Sequence, residues 1–135
     1  MKSKKYDRKT NKKTIKKIQK LIASSPLNPF ILHYYESLKP EELNTNREAV
    51  IDKINYNNKI ISQLKKESNY KKICDVHKEI IKEYIEKLEY ENETSREVIR
   101  IINLKTQEIY HKDLQKKYNK IFKKRVNRRR LFSGF

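Results

Sequence analysis

The eight residues NETSREVI, Asn92–Ile99, decide how many long helices the chain is expected to form. A similar stretch, NTNREAVI, covers Asn44–Ile51. In both, a threonine stands three residues before a glutamate. This is the capping-box pattern, in which the threonine oxygen accepts one backbone N–H and the glutamate reaches back to another. The likeness fades soon afterwards. We therefore interpret the two stretches as two helix starts, at Thr45 and Thr94, and not as a duplicated unit.

The rest of the chain also follows the helical period, with apolar residues three and four positions apart. There is one glycine, and the three prolines all fall between Pro26 and Pro40, so tight turns between strands are disfavoured. The pattern predicts a helix from Thr45 and four others, roughly over 11–24, 29–38, 69–91 and 95–125, with ENET (91–94) as a short connection. The predicted fold is all-α: an antiparallel bundle of three long helices plus one or two short N-terminal helices, with basic N- and C-terminal extensions.

The net charge of +17 is concentrated at the two ends of the 135-residue chain. Residues 1–20 and residues 112–135 each hold ten basic side chains and one acid, whereas the residues between them hold fourteen basic and fifteen acidic ones. The chain is therefore expected to divide into a basic N-terminal arm with the start of the first helix (1–20), a near-neutral helical bundle (21–111), and a basic helix end and tail (112–135). Basic segments of this kind are typical of proteins that bind nucleic acids, because each phosphate contact releases condensed counterions. The alternative is that the charge serves only solubility.

The predicted nucleic-acid contacts lie in these two end segments, which are expected to become ordered on binding. In the N-terminal segment they are Lys2, Lys4, Lys5, Arg8, Lys9, Lys12, Lys13, Lys16 and Lys17. In the C-terminal segment they are Lys116, Lys117, Lys120, Lys123, Lys124, Arg125, Arg128, Arg129 and Arg130. Phe132 and Phe135 follow the three arginines and are candidates for stacking on bases or docking into a protein groove. Tyr6, Tyr118 and Phe122 also lie among basic residues. The tail RVNRRRLFSGF has no helical pattern, and the alternative interpretation is a disordered end.

Other side chains with catalytic or metal-binding potential occur in incomplete sets. Cys74 and His77 have half the spacing of a zinc site, but no second cysteine exists, so both are expected to face the interior. Glu108 and His111 form one Glu-x-x-His pair where a di-metal bundle needs two, so we expect a surface glutamate beside a half-buried histidine. A Gly-rich phosphate loop and a nucleophile motif are absent from the sequence. The chain is therefore predicted to be neither an enzyme nor a metal or cofactor protein.

The composition also limits the compartment. One cysteine cannot form an internal disulfide, which fits a reducing environment, and the charged N-terminus has no apolar signal segment. We expect a cytoplasmic, particle-bound protein, with an organelle or a virion as alternatives. The first helix could also lie on an anionic bilayer through its apolar face, but it lacks tryptophan, and no membrane partner is predicted.

These features favour a non-enzymatic RNA-binding protein, a component or associated factor of the ribosome or of another ribonucleoprotein particle. It would contact rRNA phosphates through both basic ends, while the neutral bundle contacts neighbouring proteins and no small-molecule substrate is involved. The first alternative is a structural nucleoprotein that coats or compacts DNA, of the viral capsid or chromatin type. The second is a protein–protein adaptor whose basic ends meet acidic partners.

Overall fold

The computed structural model describes the backbone of residues 6–133 and the side chains of residues 6–124. This part of the chain forms four helices and no strand: α1 (Arg8–Ala23), α2 (Pro29–Glu36), α3 (Pro40–Ser68) and α4 (Asp75–Ser133). The predicted all-α class is confirmed. None of the helices in the described residues is both long enough and apolar enough to cross a membrane.

The predicted helix start at Thr94 is wrong, because α4 runs through residues 91–94 without a break and is 59 residues long. Inside this helix the hydroxyl of Thr94 donates to the carbonyl oxygen of Tyr90 at 3.2 Å, as threonines in helix interiors commonly do. Neither glycine nor proline occurs in ENET, so nothing in the backbone chemistry forces a break there. Two of the three predicted long helices are therefore one helix, and the described chain has two long helices, α3 and α4.

The predicted start at Thr45 is also wrong, because α3 begins at Pro40. Proline suits the first turn of a helix, and Glu41 and Glu42 place negative charge where the helix dipole favours it. Leu43 in the next position is fully buried. Thr45 lies within the helix and its hydroxyl donates to the carbonyl oxygen of Glu41 at 3.1 Å. The segment PEELNTN (40–46), most of which precedes the predicted start at Thr45, is thus the first part of α3.

The chain divides into two compact units, and the longer continuous one is Ser25–Asn103, which we call the hairpin unit. Within it α3 and the first half of α4 run antiparallel, because Asn57 contacts Asn92 while Arg47 contacts Asn103. One row of inward side chains on each helix recurs at alternating steps of four and three residues, which is the heptad spacing of a coiled coil, and Val98 and Ile101 are buried next to the row on α4. On α3 the row consists of Leu43, Arg47, Val50, Ile54, Asn57, Ile61 and Leu64. On α4 it consists of Ile81, Ile85, Leu88, Asn92, Ser95, Ile99 and Ile102.

Two buried asparagines face each other in the middle of this seam. The side-chain amide of Asn57 donates to Oδ1 of Asn92 at 3.1 Å, and Asn92 in turn donates to Oδ1 of Asn58 at 3.0 Å. A buried amide is costly unless it is paired, so the register in which both asparagines meet is favoured over its neighbours. The polar pair therefore aligns α3 with α4.

Replacing Asn92 with alanine should lower the free energy of unfolding by about 1–3 kcal/mol, because it leaves the buried amide of Asn57 with only a long hydrogen bond of 3.5 Å to Oε2 of Glu91. Urea denaturation followed by circular dichroism would measure the change. The double variant Asn57→Leu/Asn92→Leu removes both polar groups and should recover most of the loss. Asn55→Ala, at an exposed position of α3, is the matched control and should change stability by at most about 0.5 kcal/mol. Equal effects at Asn55 and Asn92 would contradict the role of the pair.

The second unit contains the chain up to Ser24 and again from Leu104, and we call it the basic unit. It consists of α1 and the last part of α4, which are far apart in the sequence. Asn11 contacts His111 and Tyr6 contacts Tyr118, so within this unit α1 also runs antiparallel to its part of α4.

Candidate nucleic-acid interface

The uneven charge of the sequence coincides with the division into units. The basic unit, up to Ser24 and from Leu104, holds 21 basic and 3 acidic residues, whereas Ser25–Asn103 holds 13 and 14. The two charged ends, which the sequence leaves as separate segments, therefore belong to one unit. A concentration of one sign of charge on one unit produces a field that attracts polyanions over a distance of about a Debye length.

The lysines of α1 are presented by a helix that begins at a side-chain cap. Oδ1 of Asp7 accepts the backbone N–H of Lys9 at 3.0 Å and that of Thr10 at 3.4 Å, and Oδ2 accepts the Thr10 hydroxyl at 2.9 Å. The hydrogen bond from the Thr10 hydroxyl, helped by these backbone N–H groups, holds the pKa of Asp7 below its ordinary value. The cap starts the helix at Arg8, three residues before the start we expected, so Arg8 and Lys9 are already helical.

α1 has one buried face and one basic face. Asn11, Ile15, Ile18 and Ile22 are buried. The basic face consists of exposed side chains: Arg8, Lys9, Lys12, Lys13, Lys16, Lys17 and Lys20. At about 1.5 Å per residue, the lysines from Lys9 to Lys20 extend over roughly 16 Å of helix.

Asn11 and His111 connect α1 to α4. The side-chain amide of Asn11 donates to the backbone carbonyl oxygen of His111 at 2.9 Å. This leaves Oδ1 of Asn11 as an acceptor, and Nδ1 of His111 lies 2.7 Å from it. Nδ1 must therefore carry a proton. Both polar ends of one asparagine are thus satisfied by a single residue of the facing helix, which defines the register of the pair.

Glu108, which we expected on the surface, is buried and is only 4% exposed. The Nζ atoms of Lys105 and Lys112 both lie 2.9 Å from its Oε1. Burial alone would raise the pKa of Glu108, but the hydrogen bonds and charges of the two lysines outweigh that effect and hold the pKa below its ordinary value. Half-buried Lys105 and exposed Lys112 therefore both pair with a buried carboxylate, while His111 is half-buried as expected.

The Glu108→Gln variant tests this ion-pair cluster through its pH dependence. Because the pKa of Glu108 is lower in the folded than in the unfolded state, its contribution to stability is complete above the unfolded value of about 4.5 and is lost as the pH falls through the folded value. We expect Glu108→Gln to lower the free energy of unfolding by about 1–3 kcal/mol at pH 7. This difference should shrink below pH 4.5. Asp113→Asn, at an exposed position, is the control. A difference that does not vary with pH would contradict the ion-pair assignment.

The last part of α4 carries a second group of exposed lysines: Lys116, Lys117, Lys120, Lys123 and Lys124. Among the described residues, neither these lysines nor those of α1 have a carboxylate within salt-bridge distance; the ion pairs of the basic unit all involve Glu108. Apart from Lys9, whose charge interacts with that of Asp7, these lysines are therefore open to an external anion.

The remaining predicted contacts lie at the two ends of the chain, where the side chains are not described. Lys2, Lys4, Lys5 and Phe135 lie outside the described residues. The backbone at Arg125, Arg128, Arg129, Arg130 and Phe132 is described and belongs to α4, which continues to Ser133. The expectation that this tail is not helical is therefore wrong up to Ser133. The side chains of α4 are described up to Lys124, and the arginines that follow continue its basic sequence.

Aromatic side chains in the basic unit are only partly available for stacking on bases. The rings of Tyr6 and Tyr118 lie against each other with their centroids 4.3 Å apart, so each covers a face of the other. Phe122 is 55% exposed and Tyr110 is 62% exposed. The ring of Tyr110 also makes an edge contact with that of His111, at a centroid distance of 5.2 Å.

Cys74 and His77, which we expected to face the interior, are both exposed. His77 lies beside Glu67 of α3, with Nε2 at 3.2 Å from Oε1. Within the described residues no group of three or more histidine, cysteine, aspartate or glutamate side chains is placed to hold a metal ion.

Two residues of the basic unit, Lys20 and Asn11, were not among the predicted nucleic-acid contacts. Lys20 is exposed on the same face as the predicted lysines of α1 and continues their spacing, so the helical period alone would have found it. Asn11 is buried and connects the helices, and a lone asparagine in a lysine-rich segment carries no signal of that role. Compared with known proteins, the chain matches no family model, no curated protein and no solved structure, so its own residues carry the functional argument.

Proposed function

We propose that this protein binds RNA through phosphate contacts made by the basic unit, as a non-enzymatic component or associated factor of the ribosome or a similar ribonucleoprotein particle. The observation that carries the proposal is the coincidence of charge and structure: 21 basic and 3 acidic residues belong to the unit that contains both chain ends, whereas the hairpin unit has 13 and 14. Solubility alone does not require this separation.

The lysines are suited to phosphate contacts rather than to base reading. Lysine is a flexible point charge, and contacts to the backbone fix position without reading sequence. The lysines of α1 and of the last part of α4 are exposed and, among the described residues, lack carboxylate partners. Each phosphate that they neutralise releases counterions from the nucleic acid, which supplies the binding free energy.

The hairpin unit is proposed as the module that contacts neighbouring proteins of the particle. It is close to electrically neutral and exposes several large apolar side chains: Phe30, Tyr56, Val76, Ile80 and Tyr90, between 59% and 86% exposed. Neutral surfaces with exposed aromatic side chains are typical of protein–protein contacts. In this proposal the basic unit supplies attraction to the RNA and the hairpin unit supplies a specific protein neighbour.

A structural nucleoprotein that coats DNA is the second candidate, because it would also use the basic unit and would self-associate through an unpartnered apolar surface. Val76, Ile80 and Tyr84 occur at steps of four residues along α4 and are between 50% and 70% exposed, so such a surface is present. RNA and DNA have the same phosphate chemistry, and nuclease sensitivity distinguishes the two candidates.

Sedimentation of the native protein from cell lysate, at low and high salt and with each nuclease, tests the proposal. We expect migration with a ribosome-sized particle that is lost on ribonuclease treatment or at high salt. Loss after deoxyribonuclease treatment instead would favour the DNA-coating candidate. A light species that is indifferent to both nucleases would contradict both and leave a protein–protein adaptor.

A further inference from the structure

We infer that the basic unit is a double-strand site, which binds the phosphate backbone of duplex RNA in preference to single-stranded RNA. This inference rests on the proposed function and names the form of RNA that the surface fits. It is carried by two observations on the described residues: Tyr6 and Tyr118 cover each other while Phe122 lies off the lysine rows, and the lysines lie in straight rows on helices.

Proteins that bind single strands combine a basic groove with exposed aromatic rings on which successive bases stack, at about 1–3 kcal/mol per base. In the basic unit the first candidates for such rings are Tyr6 and Tyr118, but their centroids lie 4.3 Å apart and the planes are inclined by 36°. Tyr6 is half-buried and Tyr118 is 38% exposed. The two rings pack α1 against α4 and do not offer a free pair of faces to a base.

Of the two more exposed rings, that of Phe122 lies off the lysine rows. At about 100° per residue, Phe122 is about 200° around α4 from Lys120 and about 100° from Lys123. It follows Tyr118 by four residues and so lies on the same side of α4 as the ring that contacts Tyr6. Tyr110 lies on the same side of α4 as Lys117, about 10 Å before it along the helix, but its ring makes an edge contact with the imidazole of His111. A strand tracked by Lys116, Lys120 and Lys123 would therefore pass Phe122 by and would meet at most the single ring of Tyr110.

The lysines themselves lie in straight rows along the axes of α1 and α4. On α1, Lys9, Lys13, Lys16 and Lys20 follow steps of four, three and four residues, which keeps them on one line along the helix. On α4, Lys116, Lys120 and Lys123 form a similar line. A flexible single strand must lose conformational entropy to follow such a fixed row, whereas a duplex already offers phosphates at regular positions.

When stacking contributes little, the phosphate term decides between the two forms of RNA. Duplexes carry a higher density of charge and release more counterions per contact: the logarithm of the affinity falls with the logarithm of the salt concentration with a slope of about −0.9 per contact for a B-form duplex and about −0.7 for single strands. A-form RNA also presents a wide, shallow minor groove bordered by phosphates and 2′-hydroxyls, and proteins recognise it by shape. Duplex RNA is therefore the form that these lysine rows favour.

Fluorescence anisotropy with the full chain, a labelled RNA duplex of about 20 base pairs and one of its separated, unstructured strands tests the inference. At about 150 mM salt we expect the duplex to bind at least tenfold more tightly, with a steeper salt dependence. Equal or tighter binding of the single strand would overturn the inference while leaving the proposed function intact. Absence of binding to either RNA would overturn the proposed function as well. A DNA duplex that binds more tightly than the RNA duplex would overturn the choice of RNA.

A pair of variants tests the mechanism directly. Phe122→Ala and Tyr110→Ala remove the two most exposed rings of the described basic unit, and each should leave the affinity for both RNAs within about twofold. A tenfold loss of single-strand affinity in either variant would show that bases stack there and would overturn the inference. Because both rings are more than half exposed, circular dichroism should show unchanged helicity.

Discussion

Replacing Lys9, Lys13, Lys16 and Lys20 of α1 with glutamine should lower the affinity for duplex RNA by about 10³-fold at 0.1 M salt. Each phosphate contact contributes about −0.9 to the slope of the logarithm of the affinity against the logarithm of the salt concentration. Between 1 M salt, where this term vanishes, and 0.1 M salt, four contacts therefore contribute between about three and four powers of ten to the affinity. Glutamine keeps most of the helix propensity of lysine, and the four side chains are exposed, so the helix should remain folded.

The salt dependence of binding separates this effect from a general loss of charge. The four-lysine variant should lower the magnitude of the salt slope by about 3–4, because each lysine that contacts a phosphate accounts for nearly one unit. The matched control introduces glutamine at four exposed lysines of the hairpin unit and changes the net charge of the chain by the same amount. These lysines are Lys53, Lys59, Lys78 and Lys82. The control should keep most of the affinity and nearly all of the slope. Equal losses in the two variants would mean that total charge, and not the basic unit, determines binding.

The lysine surface is the part of the candidate site that sequence could supply. Charge is a property of composition along the chain, so the excess at residues 1–20 and 112–135 is visible without any structure. The helical period then separates the lysines of α1 from Ile15, Ile18 and Ile22, and the structure places these isoleucines inside. Exposure of the predicted lysines follows from that one face being buried.

The association of the two ends could not be predicted from sequence, because it depends on contacts between residues about one hundred positions apart. Asn11 and His111 meet through two hydrogen bonds. Glu108 is also buried, where it pairs with its helix neighbours Lys105 and Lys112. Asn11 and Glu108 are polar residues at positions where the helical period calls for an apolar one. Burial of a polar residue is decided by its partner, and the partner is unknown until the chain is folded.

The same reasoning explains why the heptad spacing of the hairpin unit cannot be recognised from its apolar residues alone. Its heptad positions include Arg47, Asn57, Asn92 and Ser95, so the apolar residues alone do not show the steps of four and three. The polar members are satisfied across the seam: Arg47 donates to Oδ1 of Asn103 at 3.0 Å, and the two asparagines pair with each other. An apolar count therefore divides one continuous helix face into pieces.

The capping-box signal at Thr94 failed because its glutamate has other partners. Glu97 accepts hydrogen bonds from Nε of Arg100 at 3.0 Å and from Nη2 of Arg100 at 2.6 Å, and one from the Ser25 hydroxyl at 2.8 Å. The hydrogen bonds from Arg100, followed by that from Ser25, hold the pKa of Glu97 below its ordinary value. A glutamate three residues after a threonine is thus compatible with a helix interior, where the pattern carries no information about a start.

Replacing Thr94 with proline should therefore destabilise the chain by about 3 kcal/mol or more. Within a helix proline removes one backbone hydrogen bond, and its ring clashes with the carbonyl oxygen four residues earlier, here that of Tyr90. The break would fall between Asn92 and Ser95, both buried in the seam, so the packing of α4 on α3 would be lost with the helix. If residues 91–94 were a connection between two helices, proline near the start of the second would be tolerated.

Thr94→Ala is the matched control that distinguishes a capping threonine from one inside a helix. At a helix start, loss of the threonine oxygen would cost about 1 kcal/mol. Inside α4 the variant loses only an exposed hydrogen bond to Tyr90 and gains the higher helix propensity of alanine, so we expect its unfolding free energy to match or exceed that of the unmodified chain. Thermal and urea denaturation, followed by circular dichroism at 222 nm, would measure both variants. If Thr94→Pro has a mild effect and Thr94→Ala clearly lowers the free energy of unfolding, Thr94 is a helix start after all. Only a capping position depends on the threonine oxygen and also tolerates the proline ring.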